Sequence, residues 1–185
     1  MITPTLQTDR LTLRALQSSD AKGIQEYFPR WNIVKHLSDQ IPWPYPVDGA
    51  KQFVEMSLKK EGWLIWAITL RGNEDGDECV GVIDYTAKDA GVGNRGFWLA
   101  EHLHGRGLMT EAIEAMQDYI FFELGVEKIR VGNSLQNPAS RRLKEKTGGV
   151  YVGTGEFRHL GGCDEIELWD ITQANWRQIR QKDRK

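Results

Sequence analysis

The chain has 185 residues, enough for one hydrophobic core and few for two, so we expect a single domain over residues 1–185. The 24 Lys and Arg residues against 26 Asp and Glu residues leave a net charge of −2, which disfavours nucleic acid and anionic membrane surfaces as partners. Cys79 and Cys163 match no metal or disulfide spacing, and no apolar run reaches the roughly 18 residues of a membrane helix. We therefore expect a cytoplasmic protein.

The first half of the chain is predicted to alternate strands and helices. Residues 11–16 alternate in a way typical of a strand, and Ser18 or Ser19 can cap the helix that follows. A second helix is predicted from Asp48, with apolar residues at helical spacing up to Leu58 and with Gly62 as its stop. Strands are predicted at 63–70 and 80–86, and the turn-rich residues 72–77 between them favour a hairpin.

The second half contains the strongest helix pattern. After a turn at 91–94 and a strand at 96–100, a helix ended by Gly125 is predicted to bury one face, formed by Met109, Ala112, Ile113, Met116, Tyr119, Ile120 and Leu124. Strands at 128–131, 150–157 and 165–171, a helix at 138–146 and a short polar helix around Trp176 complete the order. This order predicts a mixed α/β protein, in which the strand-helix-strand unit in the middle forms a parallel, right-handed crossover.

Two glycines one residue apart join the strand at 96–100 to the long helix. A helix start has backbone N–H groups without intrahelical partners, and glycines let a bulky phosphate approach the main chain. Gly105-Arg106-Gly107 therefore predicts a site for a phosphorylated cofactor, the alternative being a tight turn that needs glycine only for its backbone angles. The chain has neither the Gly-Lys-Ser/Thr of an NTPase loop nor the third glycine and acidic residue of a dinucleotide fold.

The residues His104-Gly105-Arg106-Gly107-Leu108-Met109 resemble motif A of the GNAT superfamily of acetyl-CoA-dependent N-acetyltransferases, whose pattern is Gln/Arg-x-x-Gly-x-Gly/Ala. His104 and Met109 depart from that pattern. Residues 8–14, 96–99 and 137–149 are similar to the RimJ/RimL-type branch, the ribosomal-protein N-terminal acetyltransferases and their relatives. The resemblance implies the GNAT fold, with a central, mixed but mostly antiparallel twisted sheet flanked by helices. It also implies direct transfer of acetyl from acetyl-CoA to a primary amine.

The resemblance assigns residues to acetyl-CoA. Backbone N–H groups from His104 to Thr110 would hold the pyrophosphate, and the main chain of the preceding strand would pair with pantetheine and polarise the thioester carbonyl. The expected cofactor-binding residues are Trp98, Leu99, Ala100, His104, Gly105, Arg106, Gly107, Leu108, Met109, Thr110, Asn137 and Ser140. No metal is expected, because His102, His104 and His159 have no further ligand at zinc spacing.

Two residues are expected to take part in catalysis. By resemblance Ser140 lies near the thioester sulfur, where its hydroxyl would stabilise or protonate the leaving thiolate. Asn137, Pro138 and Ser140 also suit the cap and first turn of a helix. The resemblance also places a carboxylate beside the acceptor amine at the end of the strand that carries Glu156, so Glu156 is the first choice of general base, directly or through a water, with Asp84 and Glu101 as second choices. All three carboxylates have the alternative of being ordinary solvated side chains.

By the same resemblance, the loop 42–46 lies where this branch builds its acceptor pocket. Its Trp43 and Tyr45 would stack on the acceptor or cover the cleft, or they simply pack the loop on the sheet. Asp84 is also expected to bind the acceptor. The acceptor is expected to be a primary amine, such as a protein N-terminal α-amine. The alternatives are a small amine (a polyamine, amino acid or antibiotic), or a CoA-binding sensor that has lost catalysis. A monomer or a homodimer is expected.

Overall fold

The computed structural model describes residues 2–72, 77–87 and 93–182, which contain eight strands and six helices. The strands are β1 (Leu6–Gln7), β2 (Leu11–Ala15), β3 (Trp63–Leu70), β4 (Gly81–Thr86), β5 (Phe97–Leu99), β6 (Lys128–Ser134), β7 (Val150–Glu156) and β8 (Glu165–Thr172). The helices are α1 (Ala21–Tyr27), α2 (Trp31–Val34), α3 (Gly49–Leu58), α4 (Leu108–Asp118), α5 (Pro138–Lys146) and α6 (Gln173–Lys182). Every predicted strand and helix is confirmed, and only β1 and α2 were not predicted. The predicted turns at 72–77 and 91–94 lie partly outside the described residues.

The strands form two antiparallel sheets, with the orders β1-β2-β3-β4-β5 and β6-β8-β7. The prediction of a parallel crossover from β5 through α4 to β6 is wrong, because these strands lie at the edges of different sheets and every described strand pair is antiparallel. The sheets meet instead at Asn94, whose N–H donates to the Arg130 carbonyl at 2.7 Å and whose Oδ1 accepts from the Arg130 N–H at 2.8 Å. Since the segment before β5 makes these bonds, β5 itself presents an edge that pairs with no described strand.

The five-stranded sheet separates two hydrophobic clusters. Successive side chains of a strand point to opposite faces, so Trp66 packs with Ile113 of α4 on one side, and Ala67 packs with Ile24 and Val54 of α1 and α3 on the other. Each fully buried side chain of the larger apolar types contributes roughly 1.5–3 kcal/mol. The clusters fix the position of β5 from both faces, and with it the glycine turn that follows.

Two local predictions are wrong in detail. Neither Ser18 nor Ser19 caps α1; the carboxylate of Asp20 accepts from the Gln17 N–H at 2.7 Å instead. Leu124, predicted on the buried face of the long helix, is 37% exposed. The reason is a π-helical turn over Tyr119–Glu123, which widens the last turn and rotates later residues off the α-helical face.

Candidate functional site

A cavity of about 400 Å³ lies where β5, the starts of α4 and α5, and α2 meet. Of the twelve residues that the resemblance assigns to acetyl-CoA, ten line it: Trp98, Leu99, His104, Gly105, Gly107, Leu108, Met109, Thr110, Asn137 and Ser140. Ala100 and Arg106 do not. The N–H of Ala100 donates to the Val80 carbonyl on β4 at 2.8 Å. The whole lining thus comes from three separate segments of the chain, 32–37, 97–110 and 137–146.

The glycine turn has a backbone that requires glycine at two positions. Gly105 and Gly107 have φ values of +74° and +77°, where a side chain is strained. Helix α4 begins directly afterwards, so the N–H groups of its first turn have no partner within the helix, and no side chain of the described residues caps them. A Cβ on Gly105 would meet nothing within 4 Å. This open surface with unpaired donors suits a phosphate group, which needs both.

Arg10, which does not line the cavity, braces the turn from the N-terminal segment. Its Nη1 donates to the Arg106 carbonyl at 2.9 Å, and its Nε donates to Glu111 Oε2 at 2.7 Å. Glu111 Oε1 also accepts from the Arg10 backbone N–H at 2.9 Å and from Thr8 Oγ1 at 2.5 Å. Burial alone would raise the pKa of Glu111, but these donors outweigh it and lower the pKa. The N-terminal segment therefore holds both the turn and the first turn of α4.

Leu99 presents its main chain at the free edge of β5. Because Ala100 bonds to β4, the alternation of an antiparallel ladder directs the N–H and carbonyl of Leu99 away from β4. The Leu99 carbonyl accepts from His104 Nε2 at 2.8 Å, which assigns the ring proton to Nε2. The Leu99 N–H is consequently a backbone donor on the edge that borders the cavity.

The start of α5 combines a helix cap with two cavity-lining residues. Asn137 Oδ1 accepts from the Ser140 N–H at 3.0 Å, with Pro138 in the first turn. The capping interpretation of these residues is therefore confirmed, and it is compatible with their place in the cavity wall. Ser140 is only 6% exposed, and its Oγ accepts a hydrogen bond from Lys144 Nζ at 2.8 Å.

The aromatic residues expected to bind the acceptor lie outside the cavity lining. Trp43 packs against Trp31, with ring centroids 5.5 Å apart, and Tyr45 packs edge-on to Phe28 at 5.2 Å. Burial raises the pKa of Tyr45 to about 12. The Phe28 ring in turn packs edge-on to Trp98, with ring centroids 5.2 Å apart, so Tyr45 is connected to β5 through Phe28.

The three carboxylates considered as general bases also lie outside the lining. Glu156 is exposed at the end of β7, and Glu101 begins a 3₁₀ turn after β5. Asp84 on β4 accepts from the Gly96 N–H at 3.2 Å, and burial raises the pKa of its carboxyl to about 7. None of the three reaches the cavity wall in this structure.

Sequence reasoning missed the part of the wall formed by α2 and the residues after it. Asn32, Ile33, His36 and Leu37 line the cavity, yet α2 has four residues and no periodicity that would reveal it. Residues distant in sequence fix the main chain on either side of His36. The Gly161 N–H donates to the Lys35 carbonyl at 3.0 Å, and the Leu160 N–H donates to the Leu37 carbonyl at 2.9 Å.

The charge of the cavity is set by four side chains. His36, His104, Arg142 and Lys146 are its titratable lining residues, and no carboxylate lines it among the described residues. Burial lowers the pKa of His36 below its usual 6.5, and the electrostatic influence of Lys35 and His159 lowers it further, so the neutral imidazole predominates at pH 7. The described part of the wall therefore offers a neutral base and positive charge, and none of its described side chains is an anion that would attract a polycation.

The described residues also bear on three other kinds of function, namely membrane spanning, metal binding and cysteine chemistry. No helix there is long and apolar enough to cross a membrane, and no group of three His, Cys, Asp or Glu side chains could hold a metal ion. Cys79 and Cys163 are both free thiols, and burial raises the pKa of Cys79 to about 12, which keeps it protonated and unreactive.

Comparison with known proteins gives consistent matches. The family model of the acetyltransferase (GNAT) domain matches residues 10–150. The uncharacterized N-acetyltransferase p20 of Bacillus licheniformis is 27% identical over 145 residues, which cover 75% of this chain and 78% of that protein. RimL, a ribosomal L7/L12 α-N-protein acetyltransferase solved with coenzyme A, aligns with a TM-score of 0.75 at 15% identity over 91% of this chain and 98% of its own. A chimera of the spermidine N-acetyltransferase SpeG from Vibrio cholerae and hSSAT aligns with a TM-score of 0.72 at 19% identity, over 90% and 98% of the two chains.

Proposed function

This chain belongs to the GNAT acetyltransferase family and is an acetyl-CoA-dependent N-acetyltransferase, and we propose that its acceptor is the α-amine of a protein N-terminus. We place it in the RimJ/RimL-type branch, which the likeness to RimL and the residues 137–149 support. The free thiols of Cys79 and Cys163 fit the reducing cytoplasm as its location.

The observation that carries this choice of acceptor is the cavity lining, which has a neutral histidine and no carboxylate among its described residues. A polyamine carries several ammonium groups and would need anionic partners in its pocket. An α-amine has a pKa of about 7.7–8.0, whereas that of a lysine-like amine is about 10.4. A weak base such as His36 can deprotonate the first at neutral pH far more readily than the second.

Acetyl-CoA is proposed to lie across the glycine turn and the start of α5. The backbone N–H groups from His104 to Thr110 bind the pyrophosphate, and the positive charges of Arg142 and Lys146 in the same wall favour its phosphates. Asn137 and the edge of β5 contact pantetheine. The Leu99 N–H, directed away from β4, then donates to the oxyanion that forms when the amine attacks the thioester.

The proton transfers are proposed to use His36 and Ser140. The neutral imidazole of His36 takes a proton from the acceptor amine as it attacks, and the Ser140 hydroxyl gives a proton to the thiolate that leaves. Glu156 remains the alternative base suggested by family resemblance, although its exposed position means that it would have to act through water. Neither mechanism requires a covalent enzyme intermediate.

The test of this function is acetyl transfer to a matched panel of amines. A peptide with a free N-terminus, the same peptide with a blocked N-terminus and a free lysine, spermidine, and free amino acids are each incubated with the protein and acetyl-CoA. Thiol release is followed, and mass spectrometry locates the acetyl group. We expect modification of the free peptide at its α-amine and none of the blocked peptide. Faster turnover of spermidine would overturn the proposed acceptor, and CoA binding without any thiol release would favour a sensor.

A further inference from the structure

Lys144 is a lysine in the protein interior. Its side chain is 1% exposed on α5, and its Nζ donates to Ser140 Oγ, one helical turn earlier, at 2.8 Å. This is the one hydrogen bond that the amine makes within the part of the chain described by the structure. Lysines are almost never fully buried without an acidic partner, because removing an ammonium group from water is costly. An apolar side chain of similar length would avoid that cost, so a lysine at this position indicates a role for its amine.

Lys144 forms no ion pair with a carboxylate among the described residues, and Glu167, which attracts it, is bonded to other donors. Glu167 on β8 attracts it, but the oxygens of Glu167 already accept from Arg141 Nε at 3.0 Å and Asn133 Nδ2 at 2.9 Å. Arg95, in the segment before β5, places a second positive charge nearby. Burial, reinforced by Arg95, lowers the pKa of Lys144 well below its usual value. Its ammonium form therefore gives up a proton more readily than that of a surface lysine.

Ser140 connects Lys144 to the cavity. Ser140 lines the cavity, whereas Lys144 does not. The Lys144 N–H occupies an acceptor position of Ser140 Oγ, and the hydroxyl donates to no other described residue. The Ser140 hydroxyl hydrogen is thus available to donate to a group in the cavity, and the Lys144 amine, hydrogen-bonded to the same oxygen, can supply a proton to it.

We propose that Lys144 is a positioning residue that orients the Ser140 hydroxyl and replenishes the proton that it gives to the departing thiolate of CoA. This inference rests on the proposed role of Ser140 in acetyl transfer. As the thioester C–S bond breaks, its electron pair stays on sulfur and takes the Ser140 hydroxyl proton. A proton of the Lys144 ammonium moves to Ser140 Oγ and leaves a neutral amine. After CoA departs, a proton from solvent, equivalent to the one lost by the acceptor, returns to Lys144 through Ser140.

The test compares Lys144→Met, Ser140→Ala and the double variant, with Lys51→Met as a control for losing a lysine from an exposed helix position, 73% exposed at its side chain. Lys144→Met removes a buried charge and keeps the side-chain length, so its Tm should equal or exceed that of the wild type. Its kcat should fall tenfold or more, with the Kd for acetyl-CoA unchanged. The double variant should be no slower than Ser140→Ala, because both residues act in one proton path.

The pH profile separates this role from a structural one. In the wild type, kcat should fall as the pH rises through the pKa of Lys144, because the ammonium form is the proton source. This alkaline decline should be absent from Lys144→Met. A wild-type kcat and pH profile in Lys144→Met, or losses that multiply in the double variant, would overturn the inference.

The outcome for Lys144 can be distinguished from the outcome for the acceptor. If no amine in the panel is acetylated, the proposed acceptor is wrong. Hydrolysis of bound acetyl-CoA, which releases the same thiolate to water, then measures the effect of Lys144→Met. Equal hydrolysis by the wild type and the variant would overturn the role of Lys144 independently of any amine.

Discussion

Gly105→Ala tests whether the glycine turn binds the pyrophosphate of acetyl-CoA. Gly105 has a φ of +74°, and a Cβ there would meet no atom within 4 Å, so the cost to the fold is conformational and not steric. An L-residue in the left-handed region costs about 1–2 kcal/mol. In a chain of this length, each kcal/mol lowers Tm by about 2–4 °C, so we expect a decrease of about 2–8 °C.

The same methyl group is expected to weaken acetyl-CoA binding. It would stand on the open surface of the turn, in the space through which a phosphate approaches the backbone N–H groups. Loss of one hydrogen bond to a charged group costs about 1.5–3 kcal/mol. At about 1.4 kcal/mol per tenfold, the Kd for CoA should rise roughly ten- to a hundredfold.

Gly62→Ala is the matched control for this effect. Gly62 has a φ of +79° and nothing within 4 Å of its Cβ position, but it precedes β3 and does not line the cavity. Both variants should lose similar amounts of Tm in thermal unfolding, while calorimetric titration with CoA should detect weaker binding only for Gly105→Ala. Equal CoA affinities in the two variants would refute the assignment of the turn as the pyrophosphate site.

Three further substitutions test the proposed base, the proposed acid and the buried carboxyl of β4. His36→Gln should lower kcat about a hundredfold or more, whereas Glu156→Gln should leave kcat nearly unchanged. The reverse pattern would identify Glu156 as the base. Ser140→Ala should lower kcat far more than it weakens acetyl-CoA binding, and unchanged turnover would remove Ser140 from the mechanism. Burial raises the pKa of Asp84 from 3.8 to about 7, so the stabilising contribution of its protonated form is present below pH 3.8 and is lost as the pH rises through 7. Asp84→Asn has no carboxyl to ionise, so at pH 8 its free energy of unfolding should exceed that of the wild type by up to about 4 kcal/mol. Denaturation curves measure this difference. The same pH dependence of stability in both proteins would contradict the desolvation of Asp84.

The sequence determined those features that depend on neighbours along the chain. The apolar spacing from Met109 to Met116 predicts the buried face of α4, because one side of a helix repeats every 3.6 residues. Gly105 and Gly107 have the positive φ values that their spacing suggests, and Asn137 caps α5 as its type and position predict. Each of these features is set by backbone angles and hydrogen bonds within a few residues, so the local sequence is sufficient to predict it.

Only the tertiary structure decided which distant residues meet at the cavity. Arg10 and Glu111 are 101 positions apart, yet they brace the glycine turn together, and His36 is held in the wall by backbone bonds from residues 160 and 161. The separation of β5 from β6 likewise depends on Asn94 bonding to Arg130, which no periodicity in either segment indicates. Lys144 and Ser140 are one turn apart on the same helix, but only the packing around them excludes water from the Lys144 amine. Burial and long-range pairing are properties of the assembled core, and they determine which side chains the cavity can use.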